Sequence, residues 1–176
     1  ELDNHARNES WTLIPRSQVP AGRRVHKMIW VYKVKRDGTA KARLCVQGSS
    51  LEAGVDFDQV FSAALRYSSA RGLFAFAARN GCRVRSVDLV AAYLQGSFLD
   101  GEVVYTWQPT GHAELGPDGK PLVAQINKPI YGIQQAGRRL QRKLFAWVRD
   151  QGFTQLEDSD PCVFTRTHED GEVLTI

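Results

Sequence analysis

A chain of 176 residues and 19.7 kDa is long enough for one domain, or for a core with an appended lobe. Its 43% hydrophobic and 24% charged residues are ordinary for a globular protein and exclude disorder, and no stretch approaches the run of ~20 apolar residues that spans a membrane. The net charge of +4 and pI near 9.1 are modest, so a polyanionic partner has to be argued from where the basic residues lie.

ELDNHARNESW, residues 1–11, lacks the apolar centre of a signal peptide, which argues against secretion. It reads as a short helix ending in the region from Asn8 to Trp11. After Leu13, Ile14 and Pro15, the segment SQVPAGRR (17–24) carries Pro and Gly at loop positions. MIWVYKVKR (28–36) places Met28, Trp30, Tyr32 and Val34 on one face of a strand that ends in Lys33, Lys35 and Arg36. Asp37-Gly38 is a hairpin turn signal, and AKARLCVQG (40–48) returns with Ala40, Ala42, Leu44 and Val46 on one face and Lys41 and Arg43 on the other. This basic hairpin is either an edge ribbon with solubilising charge or a two-stranded finger that neutralises phosphates. In the second case arginine would clamp oxygens in a fork and lysine would act as a point charge.

Residues 49–63 read as an irregular loop anchored by Phe57, Val60 and Phe61; Asp56 and Asp58 lack the further oxygen ligands of a calcium loop. Ser68 or Ser69 caps a helix running through Ala70, Leu73, Phe74, Ala77 and Ala78 to Asn80-Gly81, apolar over most of its surface and so expected in the core. CRVRSVD (82–88) reads as a strand ending at Asp88. The stretch SVDLVAAYLQG (86–96) surrounds that acid with small residues and one tyrosine, a place where a metal ion can be held against a ligand. Asp100-Gly101 reads as a turn and EVVYTW (102–107) as another strand, and the order suggests an antiparallel sheet with helices on one face.

HAELGPDGKP (112–121) is a polar loop and LVAQINK a short strand. IYGIQQAGRRLQRKLFAWVRDQG (130–152) contains an amphipathic helix with Leu140, Leu144, Trp147 and Val148 at i, i+4, i+7 and i+8. Arg138, Arg139, Arg142, Lys143 and Arg149 fall on its other faces, and Gly152 stops it. CVFTR (162–166), the turn HEDG (168–171) and EVLTI (172–176) form a last hairpin. With no initial methionine and an end in mid-strand, the chain reads as a piece of a longer one.

Cys45, Cys82 and Cys162 show no metal-ligand spacing and read as reduced, buried small hydrophobes. There is no GxSxG, phosphate-binding loop or dinucleotide glycine pattern, and His5, His26, His112 and His168 lie in termini or loops without a partner pattern. A basic hairpin, a strand ending in an acid and a basic helix remain, and together they suit a polyanion.

The order of Trp11 to Pro15 (WTLIP), WVYKVKRDGTAKARLCVQG (30–48), AGVDFDQVFSAALRYSSAR (53–71), SVDLVAAYLQG, VYTWQPTG (104–111), KPIYGIQQAGR (128–138) and DPCVF (160–164) resembles the reverse transcriptase of copia-type LTR retrotransposons over essentially the whole chain. The resemblance implies an α+β right-hand polymerase: a fingers part mainly at 11–67, and palm at 68–111 with the first catalytic aspartate. Residues 112–152 would be a loop, a fingers–palm segment and the amphipathic helix, and 153–176 an incomplete palm hairpin. The palm would be an antiparallel sheet backed by helices, truncated before the family's Tyr-x-Asp-Asp hairpin.

By the same resemblance Asp88 is a catalytic, metal-binding carboxylate. Arg43, Lys41, Leu89, Val90 and Tyr93 bind the incoming deoxynucleotide, Tyr93 standing where a ring would clash with a 2′-hydroxyl. Tyr131, Gly132, Lys33 and Lys35 face template and nucleotide. Two Mg²⁺ ions, with Mn²⁺ as an alternative, would serve transfer from dNTP to a primer 3′-hydroxyl on an RNA or DNA template, which takes several carboxylates. The expected partners are RNA template, DNA primer, dNTPs and the rest of a polyprotein, with no membrane and an intracellular, cytoplasmic particle as the setting. Val90-Ala91 replaces the family's Lys-Thr, Ala63 and Gly137 replace prolines, and Leu140 replaces a tryptophan. These departures leave a catalytically silent remnant that folds and at most binds nucleic acid as the alternative.

Overall fold

The structure, a computed structural model, describes residues 1–99, 101–169 and 171–176. The expected turn at Asp100-Gly101 and the HEDG turn each include a residue outside them. By their internal contacts these residues divide into two compact units, Glu1–Phe61 with Ala91–Leu140, and Ser62–Val90 with Gln141–Ile176.

The first unit begins with helix α1 (Leu2–Arg7), whose His5 is buried with its ring 5.0 Å from that of Trp11. Strands β1 (Trp11–Ile14) and β2 (Val25–His26) follow. The alternation read from 28–48 becomes β3 (Met28–Val34) and β4 (Ala40–Val46), paired antiparallel around Asp37-Gly38. Gly38 takes φ +81° at this turn, and the Thr39 N–H donates to the Asp37 carboxylate at 2.9 Å. β5 (Val104–Trp107) and β6 (Val123–Ile126) complete a four-stranded sheet in the order β1-β6-β5-β2. Its β2–β5 pair is parallel, so the antiparallel expectation holds for the other pairings and not for this one.

Leu44 and Val46 at the base of the hairpin, with Val104, Ala124, Ile126 and Ile130, form the core. Leu44 and Ile130 are fully enclosed, a burial worth about 2 kcal/mol each. Tyr32 and Val34, toward the hairpin tip, are exposed.

The second unit holds helix α2 (Tyr67–Asn80) and the sheet β7-β8-β9, made of Thr154–Gln155, Phe164–Thr167 and Val173–Thr175. Helix α3 (Ala136–Asp150) contains the boundary between the units. In the second unit its Phe145 meets Phe164 edge-on at 4.9 Å.

Several expectations change here. Residues 82–88 form no strand, because their backbone finds no ladder partner among the described residues. α2 is a helix but not core: none of its residues is buried. Neither Ser68 nor Ser69 is its cap residue. That position is Arg66, whose N–H donates to the Asp160 carboxylate at 2.9 Å. The predicted seam of α3 is partly exposed at Trp147, while Arg139, read as outward-facing, is buried. The three cysteines are free as expected, but Cys82 is exposed and the other two only half-buried.

Candidate functional site

Hairpin register makes the first part of the site. Lys33 stands directly opposite Lys41, and Val31 opposite Arg43. Like charges facing each other across a ladder repel, so this ribbon face concentrates positive charge at some cost to the hairpin. Lys33, Lys35 and Lys41 are exposed.

Beside the hairpin the chain brings three of the predicted residues together. The Arg43 guanidinium lies over the Tyr131 ring at 5.3 Å from its centre. The same ring meets Tyr93 edge-on at 4.9 Å, an electrostatically favourable arrangement of rings and cation. Arg43 is half-buried, its Nε has no hydrogen-bond partner, and it forms no ion pair among the described residues. A cation in that state offers directed donors to an anion.

Backbone contact fixes this cluster. The Val46 N–H donates to the Tyr131 carbonyl at 2.8 Å. Gly132 has φ +88°, and a Cβ there would overlap the Val46 carbonyl oxygen. A Cβ on Gly48 would likewise overlap the Gly132 carbonyl oxygen. Tyr93 rides on a single turn, Ala92–Gln95, opened by Ala91 at φ +49° and anchored by buried Leu94.

Asp88, Leu89 and Val90 belong to the second unit and are exposed in a segment without regular structure. Among the described residues no three His, Cys, Asp or Glu side chains converge, so these acids do not by themselves fit a two-ion centre.

Sequence reasoning missed a buried polar network. His26, read as a loop residue without partners, lies in β2 with Nδ1 2.8 Å from Ser50 Oγ and Nε2 3.2 Å from the Asp56 carboxylate. Arg23 stands 3.4 Å from the same carboxylate, and Gln135 Nε2 donates to the Asp56 carbonyl at 2.9 Å. Burial pushes the His26 imidazole below its ordinary value, and Asp56 pulls it less strongly the other way. Asp56, half of the acidic pair that lacks the further ligands of a calcium loop, is thus bound to this network. Arg139 pairs with Glu102 through two hydrogen bonds. None of these partnerships follows a local spacing, since the partners are 24 or more residues apart.

A cleft of about 800 Å³ lined by His5, Trp11, His112, Glu114 and Asn127 contains none of the predicted site residues. It is a separate feature of the first unit. The Arg43 cluster is the better candidate because its polar groups converge.

The chain is of mixed α/β class, with a basic hairpin and a half-buried arginine at its base. More particularly, residues 8–176 match the family described as "Reverse transcriptase (RNA-dependent DNA polymerase)", and the chain belongs to that family. It is 31% identical over 181 residues to the retrovirus-related Pol polyprotein from transposon TNT 1-94 of Nicotiana tabacum, a match that covers 100% of this chain and 13% of that protein. The Pol polyproteins from transposons RE2 and RE1 of Arabidopsis thaliana are 29% and 28% identical over 158 residues, each match covering 87% of this chain and 10% of the relative. The chain thus spans 13% or less of the length of these relatives. No solved structure gives a significant match.

Proposed function

We propose that this chain is the fingers and first palm portion of an RNA-directed DNA polymerase carried in a retrotransposon polyprotein. Fingers lie mainly at 11–67 and palm begins at 68. Its partners are an RNA template, a DNA primer and deoxynucleotides. The observation that carries the reading is the Arg43–Tyr131–Tyr93 cluster, a cation with no ion-pair partner among the described residues lying over one ring that meets a second edge-on. Arg43, with Lys41, grips the triphosphate; Tyr93 sits under the sugar and excludes a 2′-hydroxyl. Tyr131 and Gly132 border the nucleotide and template, Lys33 and Lys35 attract the nucleic-acid backbone, and Leu89 and Val90 lend backbone contacts.

Asp88 supplies one of the carboxylates for the divalent ions, Mg²⁺ or Mn²⁺, that assist attack of the primer hydroxyl when bound. The remaining carboxylates come from elsewhere in the polyprotein, so the isolated chain does not polymerise. The polyprotein works inside the cell. Among the described residues no helix is long and apolar enough to cross a membrane.

The test uses the parent polyprotein with template, primer, deoxynucleotides and Mg²⁺. Asp88→Ala is expected to abolish incorporation and leave template binding nearly unchanged. Undiminished incorporation overturns the assignment. A silent remnant is the second reading, favoured by the departures at Val90, Ala91, Ala63, Gly137 and Leu140, and a wild-type parent that incorporates nothing supports it.

A further inference from the structure

A surface of one sign of charge lies where the sequence reads as core. Between residues 59 and 87 there is no Asp or Glu, and there are five arginines, Arg66, Arg71, Arg79, Arg83 and Arg85. All five are exposed. Arg66 donates to the Ser159 carbonyl at 2.7 Å, but Arg71, Arg79, Arg83 and Arg85 form no ion pair among the described residues.

On α2 the half-buried residues are Ser69, Ala70, Leu73 and Ala77, which share one face by helical spacing. The Asp160 carboxylate holds that face through Ser69. Tyr67, Arg71, Phe74 and Ala78, at i, i+4, i+7 and i+11, form a different stripe that is exposed throughout. Tyr67 is 79% and Phe74 62% accessible, and the Arg71 guanidinium lies 5.8 Å from the centre of the Tyr67 ring. Past Gly81 the next basic residues along the chain are Arg83 and Arg85, both exposed.

The combination selects its occupant. An apolar protein face covering the rings would have to desolvate guanidinium groups that have no counter-charge, which is costly. A polynucleotide strand satisfies both demands, phosphates meeting the guanidinium forks and base faces meeting the rings. A duplex hides its base faces, so the strand is single. Rings seven residues apart are separated by about 10 Å along the helix, roughly the length of three stacked bases.

We infer that the Tyr67–Arg71–Phe74 stripe of α2, with Arg83 and Arg85 following in the chain, is a nucleic-acid surface separate from the basic hairpin and takes a single-stranded polynucleotide. The inference rests on the reading of the chain as part of a polymerase and adds a path for that enzyme's unpaired strand.

Fluorescence anisotropy of the whole 176-residue chain with a labelled single-stranded oligothymidylate, and with a duplex of equal length, tests it. Tyr67→Ala with Phe74→Ala is expected to weaken single-strand binding by about tenfold or more and to leave duplex binding unchanged. Tyr67→Phe, which keeps the ring, is expected to bind like the wild type. Arg71→Gln with Arg83→Gln and Arg85→Gln should reduce the slope of log affinity against log salt by about 2, at roughly 0.7 per phosphate contact. These side chains are exposed, and circular dichroism checks that each variant folds.

Wild-type affinity and slope in both sets of variants overturn the inference. So does a wild-type dimer in sedimentation that Tyr67→Ala with Phe74→Ala disperses without changing oligonucleotide binding. If Lys33→Gln with Lys41→Gln removes all binding while the α2 variants remove none, the stripe fails and the polymerase reading stands. If the parent polymerises undiminished with Asp88→Ala but the stripe variants lose single-strand affinity, the catalytic assignment fails and the stripe stands.

Discussion

Arg43 has no ion-pair partner among the described residues. Its Nε is buried and unpartnered, so the donors left for a ligand are the terminal guanidinium nitrogens, and a charge-assisted hydrogen bond from one is worth about 1.5–3 kcal/mol. Arg43→Ala in the parent enzyme is therefore expected to raise the KM for deoxynucleotide by about ten- to a hundredfold, read from steady-state incorporation; an unchanged KM removes the assigned contact. Tyr131 supports both neighbours through its ring. Tyr131→Phe should preserve the arrangement, whereas Tyr131→Leu should raise KM and also relax ribonucleotide rejection, since Tyr93 loses its edge-on partner. Measuring selectivity alongside KM tests that coupling, because a residue touching only the triphosphate would move KM alone. Gly132→Ala meets the Val46 carbonyl oxygen and a positive φ at once. A loss of about 2–4 kcal/mol in urea denaturation is expected.

At the level of an element, the β3–β4 hairpin lets stability and the proposed nucleic-acid binding be tested in one variant. Lys33 and Lys41 are opposed in register, so Lys41→Glu turns repulsion into attraction and should strengthen the hairpin by about 0.2–1 kcal/mol. Nucleic-acid affinity and its salt dependence should fall in the same variant. Unfolding midpoint and anisotropy then move in opposite directions, and if they move together the hairpin is only a structural ribbon. Helix α2 depends on a carboxylate from far along the chain. Asp160 accepts from Ser69, from the Cys162 N–H at 2.9 Å and from the Arg66 N–H, which holds its carboxyl below the usual range. That stabilisation is present above the ordinary carboxylate pKa and is lost as pH falls through the lowered folded value. Asp160→Asn should speed amide exchange in the first turn of α2. Unaltered protection there would show that the helix start needs no distant acid.

In the molecule as a whole, histidines set the mildly acidic response. Burial lowers His5 and His26 from their ordinary value. Above about pH 6.5 their folded and unfolded forms are both neutral; below it the unfolded chain takes up protons that the folded chain refuses, and stability declines. The urea midpoint is expected to fall between pH 7 and pH 5, less steeply in His26→Gln, and a flat profile refutes the account. Strands 28–34 and 40–46 were legible because alternation and Asp37-Gly38 are local signals, and so was the end of α2, where Gly81 takes φ +65°. The buried His26–Asp56 pair, the Arg139–Glu102 pair and the Asp160 cap were not, because their partners are brought together only by the fold. Residues 82–88 show the limit from the other side: a strand pattern specifies a strand only when another strand accepts its hydrogen bonds. The joint between Gly48 and Gly132 was invisible for a further reason, since it is made of side chains that do not exist. It also constrains inheritance differently from the lysine pair. Opposed charges can drift and compensate one another, but two glycines in backbone contact have nothing to exchange, so divergent copies that keep the Arg43 cluster must keep both.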